Sequence, residues 1–238
     1  MILHIPHAST QTLDYKISNR DREIQRMTDW HTNDLYDVQD STKIIFPLSR
    51  LICDVERFED DKLEAMSRFG MGVCYTRDTQ GEELRHVKND ERKYIIKTYY
   101  RPHHQKLSEA VDKELKAKGS ALIIDCHSFP DDSYYFNSDF KKKRPDICIG
   151  TDSFHSPVEL IKRVRDFFAK HGYTVEVDKP YSGTMVPLKH YKKEPKVQSL
   201  MIEINRKLYM DADGVKNVHY SRLKHLINQI LTEIKLSQ

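Results

Sequence analysis

At residues 121–128 the chain reads ALIIDCHS, an apolar run that ends in an acid and a histidine. Two other short segments have the same form: residues 3–7 end at His7, and residues 200–206 carry Glu203 inside an apolar run. An unpaired charge is costly to bury, so such strands are a poor way to build only a core. The pattern predicts metal ligands and a general base at one edge of a sheet, and it favours a metal-dependent hydrolase.

Strand-like and helix-like patterns alternate along the chain. The predicted strands cover residues 2–5, 43–46, 51–55, 72–75, 121–125, 147–150, 173–177 and 197–204. The predicted helices cover residues 20–38, 89–118 with a bend near Pro102, 157–170 with Ser156 as N-cap, and 215–235. Such alternation predicts an α/β protein with three layers, α/β/α, around a central mixed sheet. Because no long Pro/Gly-rich linker interrupts the pattern, we expect one domain over residues 1–238.

Composition narrows the classes of partner. The 39 Lys and Arg against 36 Asp and Glu leave a net charge of +3, so neither nucleic acid nor a membrane surface is expected as the main partner. The densest basic run, residues 140–145, is interpreted as a solvated loop. No apolar stretch approaches the ~20 residues of a membrane helix, and no signal-peptide pattern is visible. The four cysteines occur singly, so we expect free buried thiols in a reducing cytoplasm rather than a cysteine-ligated zinc.

The strand-end residues are the first candidates for chemistry. His7 could be a zinc ligand, but taken alone it is better explained as a strand-end histidine that satisfies a loop hydrogen bond. Asp125 and His127 point to the same face of an extended segment, so Asp125 could hold a ligand in place while His127 binds metal. The alternative is a buried Asp–His pair that only fixes a loop. Glu203 could be the ion-pair partner of Arg206 or the general base that activates a metal-bound water.

A remaining metal ligand is sought in the first helical pattern. Asp29 and His31 are two residues apart, so they do not share a face of a regular helix. One of them could complete a metal site, whereas both could do so only if the helix breaks. A solvated Asp29 and a half-buried His31 are the structural alternatives.

Two arginines are candidates for holding an acidic group of a substrate, because guanidinium binds carboxylates bidentately. Arg50 and Arg57 bracket an apolar segment, and each could instead pair with Asp54 or Glu56. Residues 179–184 form a turn-rich segment after a predicted strand, which suits either a loop over a pocket or an ordinary surface turn.

Seven segments together resemble the N-formylglutamate amidohydrolase family, which is similar in fold to zinc carboxypeptidases and aspartoacylase-like deacylases. They run nearly from end to end: IPHAS at 5–9, TDWHTNDLY at 28–36, SRLICDVERF at 49–58, YYRPHH at 99–104, DCHS at 125–128, KPYSG at 179–183 and EINRKLYM at 203–210. No single motif is decisive, but their order and joint presence are specific.

The resemblance implies that His7 and His127 bind zinc. Carboxypeptidases carry a glutamate three residues after their first ligating histidine, whereas this chain has Thr10 there. The missing ligand is therefore expected from Asp29, with His31 in reserve.

The resemblance also implies hydrolysis of an amide or formamide bond in an N-acyl amino acid that carries a carboxylate, such as N-formyl-L-glutamate. Zn²⁺, or another divalent metal, would activate a water, and Glu203 would be the base. Substrate contacts are expected from Arg50, Arg57, Tyr181, Ser182 and Gly183. A zinc peptidase or deacylase on another N-acyl amino acid or a cell-wall-like amide is the first alternative, and a non-catalytic α/β binding protein is the second. The sequence leaves the oligomeric state open.

Overall fold

A single mixed sheet organises the computed structural model, which describes residues 1–132 and 143–237. Its strands are β1 (Ile2–Ile5), β2 (Thr42–Ile45), β3 (Ala121–Phe129), β4 (Ile147–Gly150), β5 (Val175–Val177) and β6 (Val197–Asn205). Their order is β2-β1-β3-β6-β4-β5. The pairing of β4 with β6 is antiparallel and the other four pairings are parallel. The predicted α/β class with a mixed sheet is therefore confirmed.

Helices cover both faces of the sheet. The α-helices are α1 (Arg20–Met27), α2 (Thr32–Leu35), α3 (Asn89–Ile95), α4 (Arg101–Lys118), α5 (Val158–Lys170) and α6 (Tyr220–Leu236). A π-helical segment, Ile96–Tyr100, joins α3 to α4, and short 3₁₀ helices cover Ala65–Phe69 and Arg206–Leu208.

The core is divided between the two faces of the sheet. On one face, apolar side chains of β1, β3, β4 and β6 pack against α5 and α6 through residues such as Phe168 and Ile227. On the other face, Leu107 and Val111 of α4 cover Ile123 of β3. These two apolar layers, with the sheet between them, give the three-layer arrangement predicted from the alternating pattern.

Several predicted elements differ from the structure. The helix predicted over residues 20–38 is broken between Met27 and Thr32, and residues 51–55 and 72–75 lie in turns rather than strands. Their apolar side chains are buried in two separate clusters, one that includes Ile52 and Val73 and one that includes Leu51 and Tyr75. An apolar run here therefore reflects burial within a loop.

The predicted helix ends were also partly wrong. The N-cap of α5 is Pro157, not Ser156, whose hydroxyl donates to the Ser199 carbonyl across 2.6 Å. The last helix begins at Tyr220, five residues later than predicted, while the helix over residues 89–118 is interrupted by the π segment before Pro102.

Other expectations concern the whole chain. All four cysteines are free and buried, as predicted. Within residues 1–132 and 143–237, no helix has both the length and the apolar character needed to cross a membrane. Of the basic run at 140–145, residues 140–142 lie outside the described residues.

Candidate metal centre and substrate cavity

The carboxyl ends of β1, β3 and β6 place ionisable side chains on one face of the sheet. His4 lies beside Asp125 in the register of β1 and β3, and His127 lies beside Glu203 in the register of β3 and β6. Because side chains alternate along a strand, Asp125 and His127 share their face with Ile123, which packs under α4. This face is therefore apolar beneath the helix and ionisable at the carboxyl ends of the strands, where α/β sheets bind ligands.

His7, Asp29 and His127 form a buried group that could hold one metal ion. One ligand atom from each lies within 4.8 Å of the other two. His7 follows β1, His127 lies near the end of β3, and Asp29 lies in the break between α1 and α2. The chain becomes extended at Thr28, and the Asp29 N–H donates to the His7 carbonyl across 2.9 Å. The break in the predicted helix is thus what brings Asp29 beside the two histidines.

Carboxylates orient both histidine rings toward Asp29. Nε2 of His7 lies 2.9 Å from Oδ1 of Asp54, and Nε2 of His127 lies 3.1 Å from Oδ1 of Asp125. When Nε2 carries the proton and donates it to these carboxylates, the lone pair of each ring is on Nδ1. Nδ1 of His127 lies 3.0 Å from Oδ2 of Asp29, and Nδ1 of His7 lies 3.7 Å from the same atom.

The His7 ring supplies the clearest sign that this donor set fits a cation. Its Nδ1 is buried and has no hydrogen-bond partner among the described residues. A buried nitrogen without a partner is costly unless something binds it. Two imidazole nitrogens and one carboxylate oxygen are the donors that catalytic zinc sites use, with a further position left for water. The residues present therefore fit the expected metal.

Arg206 fixes the third member of the group. Its Nη2 donates to Oδ1 of Asp29 across 3.0 Å, which leaves Oδ2 directed at the histidines. Burial would raise the pKa of the Asp29 carboxyl, but the hydrogen bond with His127 and the electrostatic interaction with His7 lower it below its usual range. Asp29 is therefore ionised, as a metal ligand must be.

His31, the reserve ligand, lies elsewhere. Its backbone has a positive φ of 63°, and its Nε2 lies 2.8 Å from the Gly214 carbonyl oxygen. The ring packs between Trp30, Tyr209 and Tyr220. The structure groups Asp29, not His31, with the two histidines.

A second group, formed by His4, Glu56 and Asp125, could also hold a metal by distance alone. Its potential ligand atoms already form ion pairs with one another: His4 Nδ1 lies 2.8 Å from Asp125 Oδ1 and 3.2 Å from Glu56 Oε1. Burial lowers the pKa of His4, but the hydrogen bond to Asp125 and the interaction with Glu56 outweigh burial and raise it to about 9. The His4 imidazolium therefore supplies the positive charge of this group, and its Nε2 lies 2.8 Å from Nε2 of His103.

Glu203 lines the cavity above the metal group. Burial raises the pKa of its carboxyl from 4.5 to about 8, against the opposing effect of His127. Its Oε2 is buried without a hydrogen-bond partner within the described part of the chain. A carboxyl of raised pKa with an available oxygen has the properties of a general base or acid near neutral pH.

The two candidate arginines differ in their partners. Arg50 donates from Nε and Nη2 to Oδ2 of Asp54, at 3.2 and 2.8 Å, so the expected structural pairing exists. Arg57 lies 3.6 Å from the same oxygen, and its buried Nε has no hydrogen-bond partner in residues 1–132 and 143–237. Both line the cavity, but Arg57 has more capacity to bind a substrate carboxylate.

A cavity of about 520 Å³ opens over the group. Tyr181 and Ser182, from the loop between β5 and β6, form part of its wall. Gly183 lines a neighbouring cavity of about 330 Å³ instead. The residues of the first cavity that carry charge or a metal-binding ring are His7, Asp29, Arg50, Glu56, Arg57, His127, Glu203 and Arg206.

Sequence reasoning missed the roles of His4, Glu56 and Asp54. The role of His4 could have been suspected from its position. It immediately precedes Ile5 in a strand, so alternation places its side chain on the face of the sheet opposite that of Ile5. Its partner could be identified only from the adjacency of β1 and β3. Asp54 was considered only as a partner for arginine, since nothing local indicates that the loop after β2 returns to His7.

A polar cavity at the carboxyl ends of adjacent strands, walled by histidines, acids and arginines, defines this chain as an α/β protein with an enzyme-type site. The family model described as N-formylglutamate amidohydrolase matches residues 1–210, so the chain belongs to this amidohydrolase family.

Solved structures show the same fold. The crystal structure of N-formylglutamate amidohydrolase from Ralstonia eutropha JMP134 superposes with a TM-score of 0.84 at 21% identity, over 98% of this chain and 91% of that chain. A gene product of Agrobacterium tumefaciens gives a TM-score of 0.67 at 16% identity, over 99% of this chain and 91% of that one. No curated protein matches this chain.

Proposed function

We propose that this chain is a zinc-dependent amidohydrolase that cleaves the amide or formamide bond of an N-acyl amino acid carrying a carboxylate, such as N-formyl-L-glutamate. The observation that carries the proposal is the orientation of His7 and His127. Two carboxylates hold their Nε2 atoms, and both Nδ1 atoms face Oδ2 of Asp29. Family membership supports the reaction class.

Zn²⁺ at these three residues would supply a Lewis acid and lower the pKa of a water at its open position. Glu203 takes the proton of the water that attacks the substrate carbonyl and returns it to the leaving nitrogen. A nearby cation favours the carboxylate form of Glu203, which offsets the effect of its burial. Asp54 and Asp125 keep the two imidazole rings in the tautomer that leaves Nδ1 unprotonated.

Arg57 is proposed to bind the substrate carboxylate, with Arg50 beside it. Both guanidinium groups line the cavity that contains Glu203, and Nε of Arg57 has no hydrogen-bond partner within the described residues. Hydrogen bonds to charged groups contribute about 1.5–3 kcal/mol each, so one such contact would favour a substrate that carries a carboxylate. Tyr181 and Ser182 close the cavity from the loop side.

Metal content tests the ligand assignment. Purified wild-type protein is expected to contain one zinc per chain, and His7→Ala or His127→Ala should lose it. His31→Ala is the matched control. His31 was the reserve candidate but lies outside the metal group, so this variant should retain the metal. Loss of zinc from His31→Ala with retention in His127→Ala would refute the assignment.

Turnover tests the assignment of the base. Glu203→Gln should retain zinc and lose about 10²–10⁴-fold in kcat on N-formyl-L-glutamate, which is the usual contribution of a general base. Unchanged kcat in this variant would remove Glu203 from the role. A wild-type protein that binds zinc and hydrolyses no N-acyl amino acid would favour a non-catalytic binding protein.

A further inference from the structure

A second cavity of about 330 Å³ adjoins the candidate catalytic cavity. The two share Glu56, Arg57, Ser182 and Met201 as a common wall. Met201 lies two residues before Glu203 on β6, and Oε2 of Glu56 lies 3.6 Å from Nε2 of His127. The second cavity therefore opens beside the residues proposed to act on the scissile bond.

The lining of the second cavity is mainly apolar. Its apolar and aromatic residues are Phe58, Tyr100, Met185, Val186, Leu188, Tyr191 and Met201. Arg57 lies on the shared wall, whereas Arg50 and Arg206 line only the first cavity. A carboxylate-bearing amino acid therefore belongs in the first cavity, and the second suits an uncharged group attached on the other side of the scissile carbonyl.

The polar residues that line the second cavity away from the shared wall also disfavour an anion. Burial, and next the charge of His4, lowers the pKa of His104 to about 4, so its ring is uncharged at neutral pH. Its Nε2 is buried and without a hydrogen-bond partner within the described residues. Asp152 is ionised, because hydrogen bonds from the Phe154 and His155 backbone outweigh burial and lower its pKa. Neither residue offers a positive charge.

The size of the cavity is informative as well. One water occupies about 30 Å³ in the liquid, so the cavity has room for roughly ten waters. The carbon of a formyl group carries only hydrogen and would leave this space unused. Filling it with an apolar chain would strengthen binding by about fourfold for each buried methylene.

We propose that the second cavity is an acyl subsite, which accepts an uncharged apolar acyl group larger than formyl. This inference rests on the proposed function, since the occupant is the acyl part of the same N-acyl amino acid. The preferred substrates are then N-acyl amino acids with a carboxylate on the amino acid side and an alkyl or aryl chain on the acyl side.

Sulfonamide probes test the subsite without turnover, because they are not hydrolysed as amides. The dissociation constants of N-methylsulfonyl-, N-butylsulfonyl- and N-(3-carboxypropylsulfonyl)-L-glutamate are measured by calorimetry on the full chain as purified. Butyl should bind at least tenfold more tightly than methyl, and the carboxypropyl probe should lose most of this gain. Equal affinities for methyl and butyl, or for butyl and carboxypropyl, would overturn the subsite.

Two variants narrow the cavity. Val186→Phe fills it from within, and Leu188→Trp acts at a residue that is 64% exposed, so folding is retained. Each should reduce the ratio of the affinity for the butyl probe to that for the methyl probe below threefold. Leu63→Trp is the control, because this exposed leucine lines neither cavity, and it should keep the wild-type ratio. A ratio that both variants leave unchanged would overturn the subsite.

Hydrolysis separates this inference from the proposed function. A wild-type protein that shows the butyl preference but hydrolyses no N-acyl amino acid would refute the proposed function and support the subsite. A protein that hydrolyses N-formyl-L-glutamate but binds the methyl and butyl probes equally would support the proposed function and refute the subsite.

Discussion

Asp54 controls the tautomer of a proposed metal ligand, so Asp54→Asn is the most informative perturbation. The carboxylate is fully buried. Its Oδ1 accepts from His7 Nε2 at 2.9 Å and from the Glu56 N–H at 3.0 Å. Its Oδ2 accepts from Tyr75 Oη at 2.6 Å and from Arg50. In all four of these contacts a hydrogen-bond donor points at an oxygen of the Asp54 carboxylate.

An asparagine retains one acceptor and replaces the other with an NH₂ donor. If NH₂ faces His7, the imidazole must accept at Nε2 and carry its proton on Nδ1, the atom needed for the metal. If the NH₂ group faces Arg50 instead, it points at the donor N–H groups of the guanidinium, and the positive charge of Arg50 loses its carboxylate partner. Loss of a residue that orients a ligating histidine usually lowers metal affinity 10–100-fold. Breaking a buried charge pair typically costs about 3–5 kcal/mol.

The assay is a competition titration of zinc with a chelator, paired with chemical denaturation of the metal-free protein. Asp54→Asn should weaken zinc binding 10–100-fold. Asp112→Asn is the matched control, because its carboxylate pairs with Lys189 at the surface and should change stability by less than about 1 kcal/mol. A folded Asp54→Asn protein whose zinc affinity lies within threefold of wild type would refute the reasoning.

Three further predictions concern the surrounding residues. Gly150→Ala should lower the free energy of unfolding by about 1–3 kcal/mol in denaturant titrations, since an added Cβ would lie 2.2 Å from Met201 Cε and 2.3 Å from the Gly183 oxygen. Arg57→Ala should raise KM for N-formyl-L-glutamate at least tenfold through loss of a charge-assisted hydrogen bond, and an unchanged KM would exclude the contact. In metal-free protein the folded state keeps the Glu203 proton up to about pH 8 while the unfolded state releases it near 4.5, so stability should fall as pH rises between these values. Glu203→Gln should flatten the dependence of stability on pH, and identical pH dependences in the two proteins would contradict the raised pKa of Glu203.

The sequence was most informative where local geometry decides which side chains meet. Alternation in β3 is enough to place Asp125 and His127 on one face, and the register of β3 and β6 then sets His127 beside Glu203. The apolar run at Ile147–Gly150 correctly predicted a strand. The apolar run at residues 51–55 was misleading, because it is buried in a loop.

The rest of the site depends on contacts between distant segments. Asp54 meets His7 only because the loop after β2 folds back over the end of β1. The choice between Asp29 and His31 depended on a helix break that periodicity alone does not predict. Its physical cause is visible only in three dimensions, where the Asp29 N–H bonds to the His7 carbonyl and His31 bonds to Gly214.

Anomalous scattering of zinc in crystals of the wild-type protein tests the metal-ligand assignment most directly. We expect a single peak about 2.0–2.1 Å from Nδ1 of His7 and Nδ1 of His127, with Oδ2 of Asp29 as the third protein ligand. A peak on the group formed by His4, Glu56 and Asp125, or the absence of a peak from zinc-soaked crystals, would contradict it.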